Sequence, residues 1–162
     1  MRCPRLALGV AVAVVFALAK LSHAAPPSIE GSYILESRQL PDGKVLRSPE
    51  VVGMMTFTGE HRNFNASWTE GGTQRSVSLI VKYTFSDKEY TEQTLFYAAN
   101  LDGKGIVYDA SGAKGSSPVT MKDGAATMAF PLHGEPMAAL HPDGTFIATQ
   151  KGQFIDRWKK VQ

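Results

Sequence analysis

Residues 74–85 read QRSVSLIVKYTF, and this stretch decides the fold class. Its odd-numbered positions from Val77 to Phe85 are apolar, whereas serine, lysine and threonine occupy most even-numbered positions, with Ile80 as the one departure. Alternation with a period of two predicts a β-strand with one dry face and one solvated face, as in an antiparallel sheet.

The same alternation continues N-terminal to this strand, in residues 62–69 and 51–57. Asp-Gly pairs, which tolerate the positive φ angles of tight turns, recur between the apolar stretches. They stand at residues 42–43, 102–103, 123–124 and 143–144, and the Gly- and Ser-rich residues 111–118 are predicted to form a loop. No long helical period is present, so we expect an all-β, antiparallel, up-and-down sheet of about 8–10 strands that closes into a barrel to bury its apolar face.

Residues 1–24 have the organisation of a cleavable export signal. Arg2 and Arg5 precede an apolar run over residues 6–19, and Ser22-His23-Ala24 offers a small-x-small cleavage site. The run would span roughly 21 Å as a helix, which is short of the ~30 Å hydrocarbon core. We therefore expect a periplasmic or secreted protein whose single domain covers residues 25–162, with no stable membrane span after cleavage.

The charge of the expected mature chain excludes one class of partner. Cleavage would remove Arg2, Arg5 and Lys20, which changes the formal net charge from +2 to −1. A chain without basic excess cannot neutralise phosphates, so we expect no nucleic-acid partner. Cleavage would also remove Cys3, the single cysteine, which excludes thiol catalysis and disulfides.

Residues 31–35 read GSYIL and residues 52–58 read VGMMTFT, and both stretches resemble the lipocalin-like (calycin-type) barrel domains of exported bacterial proteins. Residues 31–35, GSYIL, are similar to the Gly-x-Trp start of lipocalins, with Tyr33 in place of tryptophan, and residues 52–58 resemble a Gly-x-hydrophobic-x-aromatic-Thr segment. Arg157, in Asp156-Arg157-Trp158, is similar to the late arginine that packs over the opening aromatic ring. The resemblance implies that Gly31, Tyr33 and Arg157 close one end of the barrel through a guanidinium over an aromatic face.

The apolar stripes supply candidates for a ligand pocket, since methionine and aromatic side chains suit adaptable cavities. The same residues would equally suit a filled core, because an eight-stranded barrel can be filled by side chains alone. Glu92 and Thr94, with Thr91 and Gln93, make the next strand less apolar, and any that point inward would need partners or water. The predicted pocket residues are Met55, Phe57, Phe64, Trp68, Leu79, Val81, Tyr83 and Phe96.

The titratable side chains suggest no catalytic or metal site. His61, His133 and His141 match no compact metal motif and are predicted to be solvent-facing loop residues. His61 and Arg62 could mark a pocket mouth that binds an anionic head group, or they could be ordinary turn residues. No Gly-x-Ser-x-Gly elbow and no phosphate loop occur, so we expect no cofactor.

These features favour a carrier of a small apolar or amphipathic ligand, held without covalent chemistry. One alternative is a structural or protein-interaction module with a filled barrel, in which residues 110–118 would contact an unknown partner. An isomerase- or cyclase-type enzyme is a third hypothesis, which a buried carboxylate facing His61 or Arg62 would favour. A small outer-membrane barrel is the fourth, and its strands would need to be longer than several of those predicted.

Overall fold

The computed structural model describes residues 27–161, so the predicted signal at residues 1–24 lies outside the described part of the chain. Within that part, thirteen strands form one antiparallel sheet without any helix, which confirms the predicted all-β, up-and-down class. The strands are Gly31–Gln39 (β1), Val45–Leu46 (β2), Val51–Phe57 (β3), His61–Glu70 (β4), Thr73–Phe85 (β5), Glu89–Asn100 (β6), Val107–Asp109 (β7), Lys114–Pro118 (β8), Thr120–Lys122 (β9), Ala125–Ala129 (β10), Met137–Leu140 (β11), Thr145–Gln150 (β12) and Phe154–Val161 (β13).

The strands outnumber the prediction because several are short. β2, β7 and β9 have two or three residues each. β8 forms within residues 111–118, which were predicted to be a loop, because it pairs with the first half of β6 from Glu89 to Gln93. Backbone pairing along a neighbouring strand therefore overrides a glycine- and serine-rich composition.

The sheet is curled but open. Its order is β7-β6-β5-β4-β3-β1-β13-β12-β11-β10-β9, with β2 beside β1 and β8 beside β6. No backbone ladder joins β6 or β8 to β9 or β10 within residues 27–161, so the expected hydrogen-bonded closure is absent along this seam. Pro118, Pro131 and Pro136 stand next to the seam and have no N–H to give to a ladder. The Ser117 hydroxyl bridges it by donating to the Ala129 carbonyl at 2.6 Å.

Aromatic side chains make contact around the whole interior, including across the seam that no backbone ladder within residues 27–161 bridges. Six buried rings follow one another around the interior, with centroids 5.3–6.1 Å apart, in the order Tyr33, Phe57, Tyr83, Tyr90, Phe130, Phe146 and back to Tyr33. The contact between Tyr90 on β6 and Phe130 after β10 spans the seam at 5.5 Å. Edge-to-face and offset ring pairs add to the stabilisation from burial. These six side chains, called the aromatic cluster below, fill part of the interior.

Two β-bulges bring charged and polar residues inside. In β1 the register shifts between Leu35 and Ser37, so that Arg38 faces inward opposite Asp156. In β6 the register shifts opposite Ile80 and Val81. On the N-terminal side of this bulge the even-numbered residues point inward, whereas on its C-terminal side the odd-numbered residues do. A bulge inserts one unpaired residue and so reverses the alternation beyond it.

Gly53 makes room for a tryptophan. It lies at an inward position of β3, where an added Cβ would be 2.8 Å from Trp158 Cη2 and 3.2 Å from Leu35 Cβ. Trp158 is 2 % exposed and cannot move aside freely. Gly53→Ala should therefore lower the free energy of unfolding by about 1–3 kcal/mol through overpacking, measured by urea denaturation.

Gly59→Ala is the matched control, because the nearest atom to its added Cβ, Glu30 Oε1, is 3.8 Å away. An equal loss of stability in both variants would contradict steric conflict with Trp158 as the cause.

Candidate functional site

Beside the aromatic cluster, the interior contains a cavity of about 150 Å³, which two members of the cluster, Phe130 and Phe146, help to line. β1, β3, β4, β5, β6, β12 and β13 all contribute to its wall, together with the segment between β10 and β11. Its apolar wall includes Met55, Phe64, Ala66, Trp68, Val77, Phe130, Phe146, Ala148, Phe154 and Trp158. Its polar wall includes Arg38, Arg62, Tyr97, His133, Glu135 and Asp156. The cavity is therefore lined mainly by apolar groups, with a few polar groups at fixed positions.

Arg62 is fully buried between two carboxylates. Its Nη1 and Nη2 donate to the two oxygens of Glu135, both at 2.8 Å, and its Nη2 also lies 2.7 Å from Glu92 Oε1. The Tyr90 hydroxyl donates to the same Glu92 oxygen at 2.6 Å. The guanidinium carbon lies 3.9 Å from the centre of the Phe130 ring. This arrangement, called the Arg62 cluster, ties β4 and β6 to the segment after β10 across the seam.

Burial and neighbouring charges set the ionisation of the cluster. Burial opposes the charged form of Arg62, but the facing Glu135, Tyr90 and Glu92 leave its pKa raised. Burial also raises the pKa of Glu92, with Arg62 opposing the shift and Glu135 adding to it. The pKa of Tyr90 is well above its ordinary value, mainly because of burial, so Tyr90 stays a hydrogen-bond donor.

A second buried ion pair, between Arg38 of β1 and Asp156 of β13, also lines the cavity. Arg38 Nε and Nη2 each donate to one oxygen of Asp156 at 2.7 Å. The guanidinium carbon stands 4.5 Å from the Trp68 ring centre and 4.0 Å from the Phe154 ring centre. Burial raises the pKa of Asp156, while Arg38 acts in the opposite direction. The pair supplies a planar polar surface held rigidly by two rings.

Residues 130–136, called the seam segment, cover the gap between β8 and β10. A tight turn shapes the segment, with positive φ at His133 and Gly134 and a hydrogen bond of 3.1 Å from the Glu135 N–H to the Leu132 carbonyl. A Cβ at Gly115 on β8 would lie 2.9 Å from Leu132 Cδ2, which shows how closely the segment packs. The segment therefore presents Glu135 to Arg62 and forms part of the cavity wall.

His133 lies inside the protein, so the prediction of a solvent-facing loop histidine is wrong for this residue. Its side chain is 12 % exposed and its ring stacks on Tyr97 with centroids 4.0 Å apart. Its Nε2 is 2.8 Å from the Thr94 hydroxyl, and its Nδ1 is 4.0 Å from Asp109 Oδ2. The seam segment turns inward because both His133 and Glu135 have buried partners. His61 is exposed and His141 half-buried.

The structure separates the predicted pocket residues into three groups. Those that line the cavity are Met55, Phe64 and Trp68. Those buried in the core without lining it are Phe57, Leu79, Val81 and Tyr83. Phe96 is 36 % exposed and faces outward beside Tyr108, so its assignment to the pocket is wrong. The physical reason is the bulge in β6, which leaves both Leu95 and Phe96 on the outer face.

The predicted mouth residues do not form a mouth. His61 and Arg62 are consecutive in a strand and so point to opposite faces. His61 is exposed, whereas Arg62 is buried at 0 % exposure and is already paired with two carboxylates. Arg62 therefore has no uncompensated charge with which to bind an anionic head group.

The predicted closure through Arg157 is also wrong. Trp158 and Asp156 point inward, so Arg157 between them points to solvent. The cation near the buried Tyr33 ring is instead Lys160, whose Nζ is 5.8 Å from the ring centre. Gly31 precedes this contact with φ of +133°, a conformation that favours glycine, and its added Cβ would meet the Lys160 side chain.

Sequence reasoning missed Arg38, Glu135 and Asp156 as interior residues. A usable signal existed for Asp156, because it alternates with Phe154 and Trp158 and so shares the inward face of the last strand. Arg38 and Glu135 gave no such signal, because a bulge delivers one and an irregular segment the other.

Residues 27–161 contain neither a metal-binding cluster nor a membrane-spanning helix. No cluster of three or more histidine, cysteine, aspartate or glutamate side chains there is arranged to hold a metal ion. The same residues contain no helix of the length and hydropathy needed to cross a bilayer.

Comparison with known proteins returned no relative. No family model, no curated protein and no solved structure matches this chain.

Proposed function

We propose that this protein is an exported, lipocalin-like barrel that holds a small amphipathic molecule in its cavity without covalent chemistry. The observation that carries the proposal is the cavity itself, where apolar side chains surround two buried ion pairs. Ligand sites in proteins combine apolar walls with a few fixed polar groups in this way. The predicted export signal would place the protein in the periplasm or outside the cell.

The volume limits the size of the ligand. A cavity of about 150 Å³ is smaller than the ~300–1,000 Å³ of sites for drug-sized molecules. It matches the size of apolar cavities that hold a single benzene-sized molecule. A long-chain lipid would have to leave most of its length outside, so the proposed ligand is compact.

Buried carboxylates near Arg62 raise the enzyme hypothesis again, but their hydrogen bonds argue against it. Both oxygens of Glu135 accept from Arg62, and Glu92 Oε1 accepts from Tyr90 and faces the same guanidinium. A general base needs a free oxygen within reach of the substrate proton. Glu135 lines the cavity, but both of its oxygens are held by Arg62, and Glu92, whose Oε2 has no partner in the described part of the chain, does not line it. The ion pairs support a holding role.

Native mass spectrometry of the protein after export to the periplasm tests the proposal. We expect a co-purifying small molecule that is released on denaturation. Ala148→Leu should remove it, because Ala148 is 5 % exposed and lines the cavity, which the larger side chain would fill. Ala139→Leu is the matched control, since Ala139 lies on the adjacent strand β11 at an outward position.

A mass equal to the polypeptide alone, together with no binding of apolar fluorescent probes, would contradict the proposal. It would favour the interaction-module alternative instead. The observation relevant to that alternative is an apolar area on the outer face, where Ile34, Val52 and Met54 are 45–49 % exposed on neighbouring strands.

A further inference from the structure

Two residues that line the cavity each carry a buried N–H group without an acceptor within residues 27–161. The two nitrogen atoms are Arg62 Nε and Trp158 Nε1. Nearly all buried donors in native proteins have an acceptor, which is supplied by protein, water or a bound molecule. An acceptor inside this cavity would therefore complete the hydrogen bonding of its wall.

The charges of the wall disfavour an anionic ligand. The Arg38 guanidinium is matched by Asp156 through two hydrogen bonds, and the Arg62 guanidinium is matched by two carboxylates. A ligand carboxylate would have to displace one of these partners or stay unpaired in a buried site, and an unpaired buried charge is strongly unfavourable. The wall offers hydrogen-bond donors without an excess of positive charge.

The shape of the wall favours a flat ligand. Phe64 and Trp158 are neighbours with ring centroids 5.8 Å apart, and both line the cavity. Trp68 and Phe154 present two further rings, held in place by the Arg38 guanidinium between them. Aromatic side chains pair best with other aromatic rings in offset or edge-to-face geometry.

We propose that the ligand is a neutral aromatic molecule of single-ring size whose hydrogen-bond acceptor, such as a carbonyl oxygen, receives hydrogen bonds from Trp158 Nε1 and Arg62 Nε. This inference rests on the proposed ligand-holding function. It narrows that function to one class of ligand, and it assigns recognition of the acceptor to donors that have no protein partner.

Four compounds of nearly the same size and shape separate the possibilities. Acetophenone is neutral and has an acceptor, isopropylbenzene has none, benzoate is an anion and benzamidinium is a cation. We expect acetophenone to bind at least tenfold more tightly than each of the other three in calorimetric titrations. A site that is built to hydrogen-bond a ligand group rejects the analogue that lacks it.

Nuclear magnetic resonance gives a direct readout, because the chain contains two tryptophans and both line the cavity. The indole N–H signal of Trp158 should move downfield when acetophenone binds, and it should move much less with isopropylbenzene. In Trp158→Phe the preference for acetophenone should fall severalfold. Trp68→Phe is the control, since Trp68 also lines the cavity but its indole nitrogen is not among the unpartnered buried atoms.

The outcomes distinguish the two proposals. Equal binding of acetophenone and isopropylbenzene, or a preference for either ion, would overturn the ligand class and leave the ligand-holding function standing. Binding of none of the four compounds, with both indole signals unmoved, would overturn the ligand class; together with a ligand-free native mass it would overturn the function as well. The spectra of the unmodified protein decide between these cases even if a tryptophan variant fails to fold.

Discussion

Arg62→Met should lower the free energy of unfolding by about 3–5 kcal/mol, because it leaves two buried carboxylates without their cation. Glu92 and Glu135 both lie within 2.8 Å of the guanidinium, which is 0 % exposed. The methionine also gives up the contact with the Phe130 ring. Urea denaturation followed by tryptophan fluorescence measures the change, since both tryptophans lie in the interior wall.

The pH dependence identifies the cause. Arg62 opposes the upward shift of the Glu92 pKa, so without it the pKa of Glu92 in the folded state would rise further above its ordinary value of 4.5. Between the two values the folded protein binds more protons than the unfolded chain, so stability falls as the pH rises. The deficit of Arg62→Met should thus be largest at neutral pH and should shrink as the pH falls towards about 4.5.

Neutralising the carboxylates provides the control. Glu92→Gln and Glu135→Gln, added to Arg62→Met, should restore part of the stability and remove its dependence on pH, because no uncompensated charge remains buried. A deficit that is the same at every pH would show that lost packing on Phe130, and not unbalanced charge, causes the destabilisation.

Asp156→Ala should lower the free energy of unfolding by about 3–5 kcal/mol, for the complementary reason. It leaves the Arg38 guanidinium, whose residue is 4 % exposed, without either of its two hydrogen bonds of 2.7 Å to the carboxylate. The loss should be measured by urea denaturation at neutral pH, where Asp156 would otherwise balance the cation.

Glu50→Ala is the matched control on the surface. Glu50 pairs with Lys44 at 3.4 Å, but both side chains are more than half exposed. Water screens such a pair, and its removal should change the stability by at most about 0.5 kcal/mol. If the two variants lost equal stability, burial would not be what makes the Arg38–Asp156 pair important. Arg38→Met combined with Asp156→Leu should be much closer to the unmodified protein than Asp156→Ala.

The alternation in residues 74–85 was enough to predict the strand class and its dry face. Val77, Leu79, Val81 and Tyr83 all point to the interior as their spacing indicates. A period of two is a local property, because each residue in a strand points away from its neighbour whatever the rest of the chain does. The turns at Asp-Gly pairs are local in the same sense, and they made the up-and-down order predictable.

The candidate site was predicted less completely, and the bulges explain why. Each bulge depends on pairing with a second strand, and it reverses the inward and outward positions beyond it. Tyr90, Glu92 and Phe96 are all even-numbered, so strict alternation along β6 would put them on one face. The bulge instead leaves Tyr90 and Glu92 buried and Phe96 on the outer face. The same holds for Arg38 in β1.

What the sequence by itself determined is the all-β antiparallel class, the strand order along most of the chain and the apolar face that forms the core. Only the tertiary structure decided that the sheet stays open at the seam, that the seam segment covers it, and that Arg62 meets Glu92 and Glu135. The physical reason is sequence separation. The alternation arises from backbone geometry between adjacent residues, whereas the Arg62–Glu135 and Arg38–Asp156 pairs join residues 73 and 118 positions apart. Such contacts exist only after the whole sheet has curled.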